Sequence, residues 1–302
     1  MTDTARPAPI VEIAPAKLNL YLHVTGKRPD GYHMLDSLAA FTELGDALTL
    51  EPQAGELTLT ITGPFAASLA GEDPADNLVT RAARRLADTL GRRAEGRIAL
   101  TKNLPVASGI GGGSADAAAC LRALARLWGL PADAPVLFEV AAGLGADIPV
   151  CVVGRNRYFG GVGDQLAAAP PLPETHVVLV NPNVPVPTPA VFKARGAAPF
   201  SQPARFSEAP RDAAALADLL RARGNDLTAP ALTVAPVIAD VLSALERSDG
   251  CLLSRLSGSG ATCFALYATA TEAESAAARI RTAEPGWWAQ ATRLRSDDSA
   301  AG

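Results

Sequence analysis

Four glycines in five residues stand in the run Val106-Ala107-Ser108-Gly109-Ile110-Gly111-Gly112-Gly113-Ser114-Ala115-Asp116. Glycine lets a backbone come close to a ligand and visit positive φ, and a helix that starts after such a run offers unpaired N–H groups. Together these can make a receptor for phosphate oxygens. The plainer reading is a flexible turn before an Ala-rich helix that Ser114 or Asp116 caps. The run lacks the GxxxxGK[ST] ending of a Walker loop and the βαβ setting of a dinucleotide fingerprint. A second glycine loop, Leu256-Ser257-Gly258-Ser259-Gly260-Ala261-Thr262, precedes a strand and could wall the same anion. Asp147, in Gly143-Leu144-Gly145-Ala146-Asp147-Ile148-Pro149, is either a turn residue or a general base for a hydroxyl, a role that a nearby lysine would support. Lys17, in Ala14-Pro15-Ala16-Lys17-Leu18-Asn19, is such a lysine or a snorkelling surface one. Spacing alone cannot bring Asp147 and Lys17 together. Tyr32-His33 and Pro187-Thr188-Pro189-Ala190-Val191-Phe192 are aromatic-bearing loops that either stack on a planar ligand or pack into the core.

The elements that must position these residues are partly legible. Leu18, Leu20, Leu22 and Val24 alternate with polar or aromatic neighbours, which predicts a strand after a loose leader of ten residues. Pro29, Asp30 and Gly31 predict a turn, and residues 46–52 and 56–63 two short strands. An amphipathic helix is expected over 77–90, a strand from Arg97, and a helix from Ser114 to Gly129. Another helix is expected over 134–142 and a buried strand over the apolar, β-branched run 148–153. Strands are expected at 175–180 and 263–268, and helices at 212–223, 235–248 and 270–282. Proline-rich stretches at 168–173 and 181–189 suggest a boundary near 165, giving domains 1–165 and 166–302. Residues 194–210 read as a lid or a plain loop. Single strands with interposed helices predict an α+β fold.

Composition narrows the classes. With 302 residues, 48% hydrophobic and 19% charged, the chain has enough apolar mass for a full core. A net charge of -4 argues against a long polyanion as partner. Only four of 27 basic residues are lysines, which draws attention to Lys17 and Lys102. Cys120, Cys151, Cys251 and Cys263 form no CxxC pair, and reduced thiols are expected. His23, His33 and His176 have no zinc-like spacing, and neither a GxSxG elbow nor the HRD and DFG pieces of a protein kinase occur. The acidic, proline-bearing start and the lack of an apolar run of about 18 residues lead us to expect a soluble, cytoplasmic protein.

These motifs resemble those of a superfamily of small-molecule kinases that includes galactokinase, homoserine kinase, mevalonate kinase and phosphomevalonate kinase. Pro105 to Ser114 matches its Pro-x-x-x-Gly-x-Gly-Gly-Gly-Ser loop, Pro15 to Asn19 its leading Pro-Ala-Lys-x-Asn, and Ser257 to Thr262 its C-terminal glycine motif. Within it the chain is similar to the family that phosphorylates 4-diphosphocytidyl-2-C-methyl-D-erythritol, through Arg28-Pro29-Asp30-Gly31-Tyr32-His33, Gly143 to Pro149, Pro187 to Phe192 and Asn225-Asp226-Leu227. The resemblance runs from about residue 10 to 290. It implies an N-terminal domain like the second domain of ribosomal protein S5 and a C-terminal ferredoxin-like domain. It also implies transfer of the ATP γ-phosphoryl group to the 2-hydroxyl of the methylerythritol unit, a step of the non-mevalonate route to isoprenoid precursors.

By the same resemblance Asp147 is the base, and Lys17 polarises the attacking hydroxyl and holds Asp147 charged. Asn19 lies beside the methylerythritol end. Tyr32 and Phe192 sandwich cytosine, His33 reads its edge, and Thr188 shares that pocket. Pro105, Val106, Ala107, Ser108, Gly109, Ile110, Gly111, Gly112, Gly113, Ser114 and Ala115 wrap the ATP phosphates, while Gly258, Ser259, Gly260 and Thr262 close the phosphate end. Mg²⁺ is expected with ATP, with Ser114 as a candidate ligand. The chain departs from the usual Gly-Gly-Gly-Ser-Ser-Asp at Ala115, which removes one hydroxyl and leaves the backbone donors. A homoserine- or mevalonate-like acceptor, or a non-catalytic ATP-binding protein, are the competing readings. Neither nucleic acid nor membrane is expected as a partner, and the chain is expected to be a monomer or a homodimer.

Overall fold

The computed structural model describes residues 8–296. The chain forms two compact units whose segments interleave. One contains the chain up to Ala16, Gly45–Val106 and Gly112–Val153; the other contains Lys17–Leu44, Ala107–Gly111 and the chain from Gly154 onward. Most of the expected ten-residue leader lies outside the described residues, and strand β1 (Ile10–Lys27) begins at its end.

The first unit holds the start of β1, the end of β2 (His33–Glu51), β3 (Thr58–Thr62), α1 (Leu78–Thr89), β4 (Arg97–Thr101), α2 (Gly112–Trp128), α3 (Pro135–Ala142) and α4 (Ile148–Val153). β4 pairs antiparallel with β2, Ala47 facing Thr101, and parallel with β3, Thr58 facing Arg97. Parallel neighbours need a crossover, and α1 supplies it. Asn77 caps α1 by accepting from the Val79 N–H at 2.9 Å. The alanines and leucines of α2 are strong helix formers, and eleven of its residues are buried where α1 and α4 pack on it.

Three expectations in this unit change. Residues 148–153 form a helix rather than a strand. Ile148 to Val152 are all buried, so no periodicity betrays the conformation, and Pro149 suits a first helical turn. The helix after the glycine run begins at Gly112, so Ser114 and Asp116 sit inside it instead of capping it. Of the two short strands expected at 46–52 and 56–63, the second is β3 as expected and only the first differs. The first is the end of β2, a 19-residue strand that runs on from the turn at Pro29–Gly31.

The second unit holds the rest of β1 and β2 with β5 (Arg157–Gly161), β6 (Gln165–Ala168), β7 (His176–Asn181), α5 (Thr188–Arg195), α6 (Ala213–Arg221), α7 (Thr228–Val234), α8 (Val237–Glu246), β8 (Leu253–Leu256), β9 (Cys263–Tyr267), α9 (Ala270–Ala283) and β10 (Trp288–Arg293). Here β2 pairs with β5 and β5 with β6, both antiparallel. A four-stranded antiparallel sheet runs β10-β7-β9-β8, and α8 and α9 pack on it. The core between them includes Val178, Val180, Ile238, Val241, Leu245, Ala265 and Ile280. Thr269 and Glu272 form a reciprocal capping box at the start of α9. Pro187 to Phe192, read from sequence as an aromatic-bearing loop, instead lead into helix α5, whose first turn holds the proline that follows Thr188.

The stretch around 194–210 is tied down. The Ser201 N–H donates to Val24 O at 3.0 Å. The Ala204 N–H donates to Asp36 Oδ2 at 2.9 Å, and Phe206 N–H to Tyr158 Oη at 2.8 Å. Asp36 also accepts from Tyr21 Oη at 2.8 Å, and burial together with that carboxylate pushes the Tyr21 phenol upward. The four cysteines are free thiols. No helix among the described residues is long and apolar enough to cross a membrane.

Candidate active site

The second unit stitches three separated pieces of sequence together. The Lys17 N–H donates to Ile110 O at 2.9 Å, joining β1 to the first glycine loop. The Asn19 N–H donates to Ser257 Oγ at 3.2 Å, and that hydroxyl donates to Gly109 O at 2.9 Å. The Thr262 N–H donates to Ser108 O at 2.9 Å. Two glycine loops about 150 residues apart thus lie back to back against the lysine-bearing strand.

The glycines have a packing reason as well as a ligand-binding one. Gly109 has φ +77°, and a Cβ there would lie 2.5 Å from Ser257 O and 2.7 Å from Gly260 O. A Cβ on Gly258 would lie 3.3 Å from Asn19 Oδ1. Asn225 holds the second loop from behind, its Nδ2 donating to Leu256 O at 2.9 Å and Gly258 O at 2.8 Å. Asn181 donates to Thr262 Oγ1 at 2.8 Å. Sequence reasoning included Asn225 only as part of a matching motif and missed Ser257 and Asn181 as site residues. Side-chain-to-backbone bonds across such distances leave no periodic signal.

Lys17 is only 2% exposed, which removes the snorkelling reading. Its ammonium lies 5.3 Å from the Phe159 ring centroid, within cation–π reach. Asn19 is buried, and its Nδ2 donates to Ser37 Oγ at 2.9 Å. Thr188, at the start of α5, shares a 2.7 Å hydroxyl–hydroxyl bond with Ser259. That bond draws a member of the expected cytosine pocket onto the second glycine loop.

The rings of His33 and Phe192 stack at 4.7 Å between centroids and 22° between planes. Tyr32 is 66% exposed, and its N–H is held by Asp30 Oδ1 at 3.2 Å. Burial, and then the charges of Lys27 and Arg195, push the His33 imidazole below its ordinary value. At neutral pH it is therefore uncharged, with one ring nitrogen donating and the other accepting. A proton-NMR titration is expected to place its midpoint below the free-histidine value of about 6.5, and Lys27→Met to move it upward. A midpoint above that value would contradict this environment.

In the first unit, Asp147 is half-buried in the turn just before α4. Pro105 and Val106 enter the glycine run from β4, and Gly112 to Ala115 form the first turn of α2. That turn presents the N-terminal N–H groups and positive dipole end that suit phosphate oxygens.

A two-domain α+β chain with a glycine loop feeding a helix N-terminus and a second glycine loop beside a strand is the architecture of the GHMP kinases. Residues 77–155 match the sequence profile of the GHMP kinases N terminal domain, and residues 205–285 that of the GHMP kinases C terminal. The chain is 52% identical to the 4-diphosphocytidyl-2-C-methyl-D-erythritol kinase of Rhodospirillum rubrum, over 95% of this chain and 93% of that one. It is 54% identical to the enzyme of the same name from Paracoccus denitrificans, over 94% and 96% of the two chains. A crystal structure of a 4-(cytidine 5'-diphospho)-2C-methyl-D-erythritol kinase superposes with a TM-score of 0.77 at 34% identity, covering 94% of this chain and 99% of that one. The homoserine kinase of Cytophaga hutchinsonii shares the fold, with a TM-score of 0.71 at 18% identity over 98% and 97% of the chains. The chain belongs to the 4-diphosphocytidyl-2-C-methyl-D-erythritol kinase family of GHMP kinases.

Proposed function

We propose that the protein transfers the γ-phosphoryl group of ATP to the 2-hydroxyl of 4-diphosphocytidyl-2-C-methyl-D-erythritol, giving the 2-phosphate and ADP. The observation that carries this reading is the hydrogen-bonded patch of Lys17, Asn19, Gly109 and Ser257, which sets a buried cation beside two glycine loops. Phosphoryl transfer asks a protein mainly for positioning and for neutralising oxygens. The backbone N–H groups of Val106 to Ala115, in the loop that Pro105 opens, hold the ATP phosphates, and Gly258, Ser259, Gly260 and Thr262 close the end near the acceptor. Asp147 takes the hydroxyl proton as the oxygen attacks phosphorus and the bond to the ADP oxygen breaks. Lys17 polarises that hydroxyl. Asn19 holds the methylerythritol end.

Cytosine fits the aromatic corner. Tyr32 and Phe192 cover its faces, His33 pairs with its edge as a neutral imidazole, and Thr188 completes the pocket. Phe192→Ala is expected to raise KM for the cytidylyl substrate about tenfold, the scale of one lost base–aromatic stack. KM for ATP should hold. An equal rise in both constants would displace the cytosine pocket.

Among the described residues, no group of three or more His, Cys, Asp or Glu side chains could hold a metal ion. We take magnesium to enter as part of the Mg-ATP substrate, with Ser114 as its candidate protein contact. We place the protein in the cytoplasm as a monomer or homodimer. We divide it into an N-terminal kinase domain over 1–165 and a C-terminal ferredoxin-like domain over 166–302; the two family matches fall on either side of that boundary.

The test is ADP release with Mg-ATP and three acceptors in parallel: the cytidylyl compound, homoserine and mevalonate. Turnover with the cytidylyl compound alone is expected. Turnover with another acceptor would discard the cytosine pocket, and none in folded, ATP-binding protein would discard the kinase reading.

A further inference from the structure

Arg255, in β8 just ahead of the second glycine loop, is a buried cation without an acid. It is 9% exposed. Its Nη1 donates to Leu20 O at 2.7 Å and its Nη2 to Leu220 O at 2.9 Å. Among the described residues no carboxylate acts on it; burial alone lowers it, to about 10, so it stays charged at neutral pH. Leu220 lies in the last turn of α6, the negative end of that helix's dipole. Two carbonyls offset part of the desolvation of a guanidinium, but a full charge taken out of water is costly without a counter-ion.

The guanidinium lies behind the seam where β1 meets the second glycine loop. Leu20 follows Asn19, whose N–H is held by Ser257 Oγ. Two residues on, the Leu22 N–H donates to Gly224 O at 3.0 Å and Leu22 O accepts the Asp226 N–H at 2.9 Å. The same edge of β1 therefore meets both Arg255 and the segment around Asn225. The Asn225 amide ties Leu256 O and Gly258 O from behind. The N–H groups of Gly258 and Ser259 have no acceptor among the described residues. A loop whose carbonyls are drawn to the rear and whose amides are left open is a concavity for an anion. Arg255 adds a whole positive charge behind those partial ones.

We propose that Arg255 is a positioning residue for the phosphate end of the site: its buried charge, held between β1 and α6, strengthens the grip of the second glycine loop on the nucleotide's terminal phosphate. The inference rests on the reading of Gly258 to Thr262 as the wall at that end. Arg255 bonds to the backbone of β1 and α6, so it acts through them and through its field. Buried charges are screened far less by salt and water than exposed ones. A bound phosphate is the counter-ion that the fold itself does not supply.

The experiment measures, by calorimetry, the binding of β,γ-imido-ATP and of ADP, each with Mg²⁺, to the full-length protein, to Arg255→Gln and to Arg255→Lys. Gln keeps an amide donor for the carbonyls and loses the charge, whereas Lys keeps the charge. Arg255→Gln is expected to bind the triphosphate about tenfold more weakly than the wild type, the scale of one partly buried charge pair. Its loss for ADP, which lacks the terminal phosphate, should be smaller, and Arg255→Lys should recover most of the triphosphate affinity. Equal affinities in the Gln and Lys variants would overturn the proposal, as would equal losses for the two nucleotides in Arg255→Gln. If Arg255→Gln fails to fold, Arg255→Lys decides alone. Burial lowers a lysine's pKa, so its triphosphate affinity should fall away from that of the wild type between about pH 7 and 9.5. A constant ratio over that range would overturn the proposal. Wild-type protein that binds neither nucleotide would remove the phosphate-end reading itself, whereas tight triphosphate binding by all three proteins would refute the role of Arg255 alone.

Discussion

Asp147→Asn is expected to lower kcat by about two to four orders of magnitude, the usual contribution of a positioned general base. KM for ATP should change little, because the loop we assign to the phosphates is backbone-built and lies elsewhere in the sequence. The amide keeps the size and one acceptor oxygen of the carboxylate but cannot take the hydroxyl proton. Asp147 precedes α4 in a half-buried turn, so the exchange should leave folding intact. Steady-state kinetics together with nucleotide binding by calorimetry make the comparison. Wild-type turnover in the purified variant would remove Asp147 from the chemistry. A loss in kcat with an equal loss of ATP binding would show a broken loop, not a missing base.

Gly109→Ala should have the second-largest effect, and it should act on both stability and turnover. Gly109 has φ +77°, and the added Cβ would meet Ser257 O at 2.5 Å and Gly260 O at 2.7 Å. Those are backbone atoms of the second glycine loop, which cannot swing aside as a flexible side chain could. The left-handed conformation alone costs an alanine about 1–2 kcal/mol, and forced overpacking adds about 1–3 kcal/mol. In a chain of this length that sum lowers Tm by several degrees, at roughly 2–4 °C per kcal/mol. Gly129→Ala is the control, since Gly129 has φ +68° but nothing within 4 Å of the added carbon. It should show the conformational cost and retain activity. Equal melting shifts in the two variants would mean that the contact between the loops does not matter. A destabilised Gly109→Ala with full kcat would separate loop packing from phosphate binding.

Residue types and their order in the chain carried a good deal. The glycine run, the helical stretch after it and the second glycine loop were readable because each is local. Glycine clusters, alanine-rich runs and capping residues act on their own few neighbours. The same locality made the helix after Asn77 and the strand at 263–267 visible. The resemblance carried by Pro15 to Asn19, Pro105 to Ser114 and Pro187 to Phe192 pointed to the family that the comparisons then showed.

Tertiary structure decided the rest, for identifiable reasons. The run 148–153 is apolar at every step, and complete burial erased the periodicity that separates helix from strand. β10 is an edge strand on β7, a placement fixed by pairing with residues more than a hundred positions earlier. That Lys17 is buried, that Gly109 must lack a side chain because of Ser257 and Gly260, and that Lys102 sits between two acids are facts about contacts between distant segments. A sequence displays which residues are available for charge and hydrogen bonding. Which of them lose their water together, and so which charge must be neutralised by a neighbour or a proton, depends on the folded packing alone.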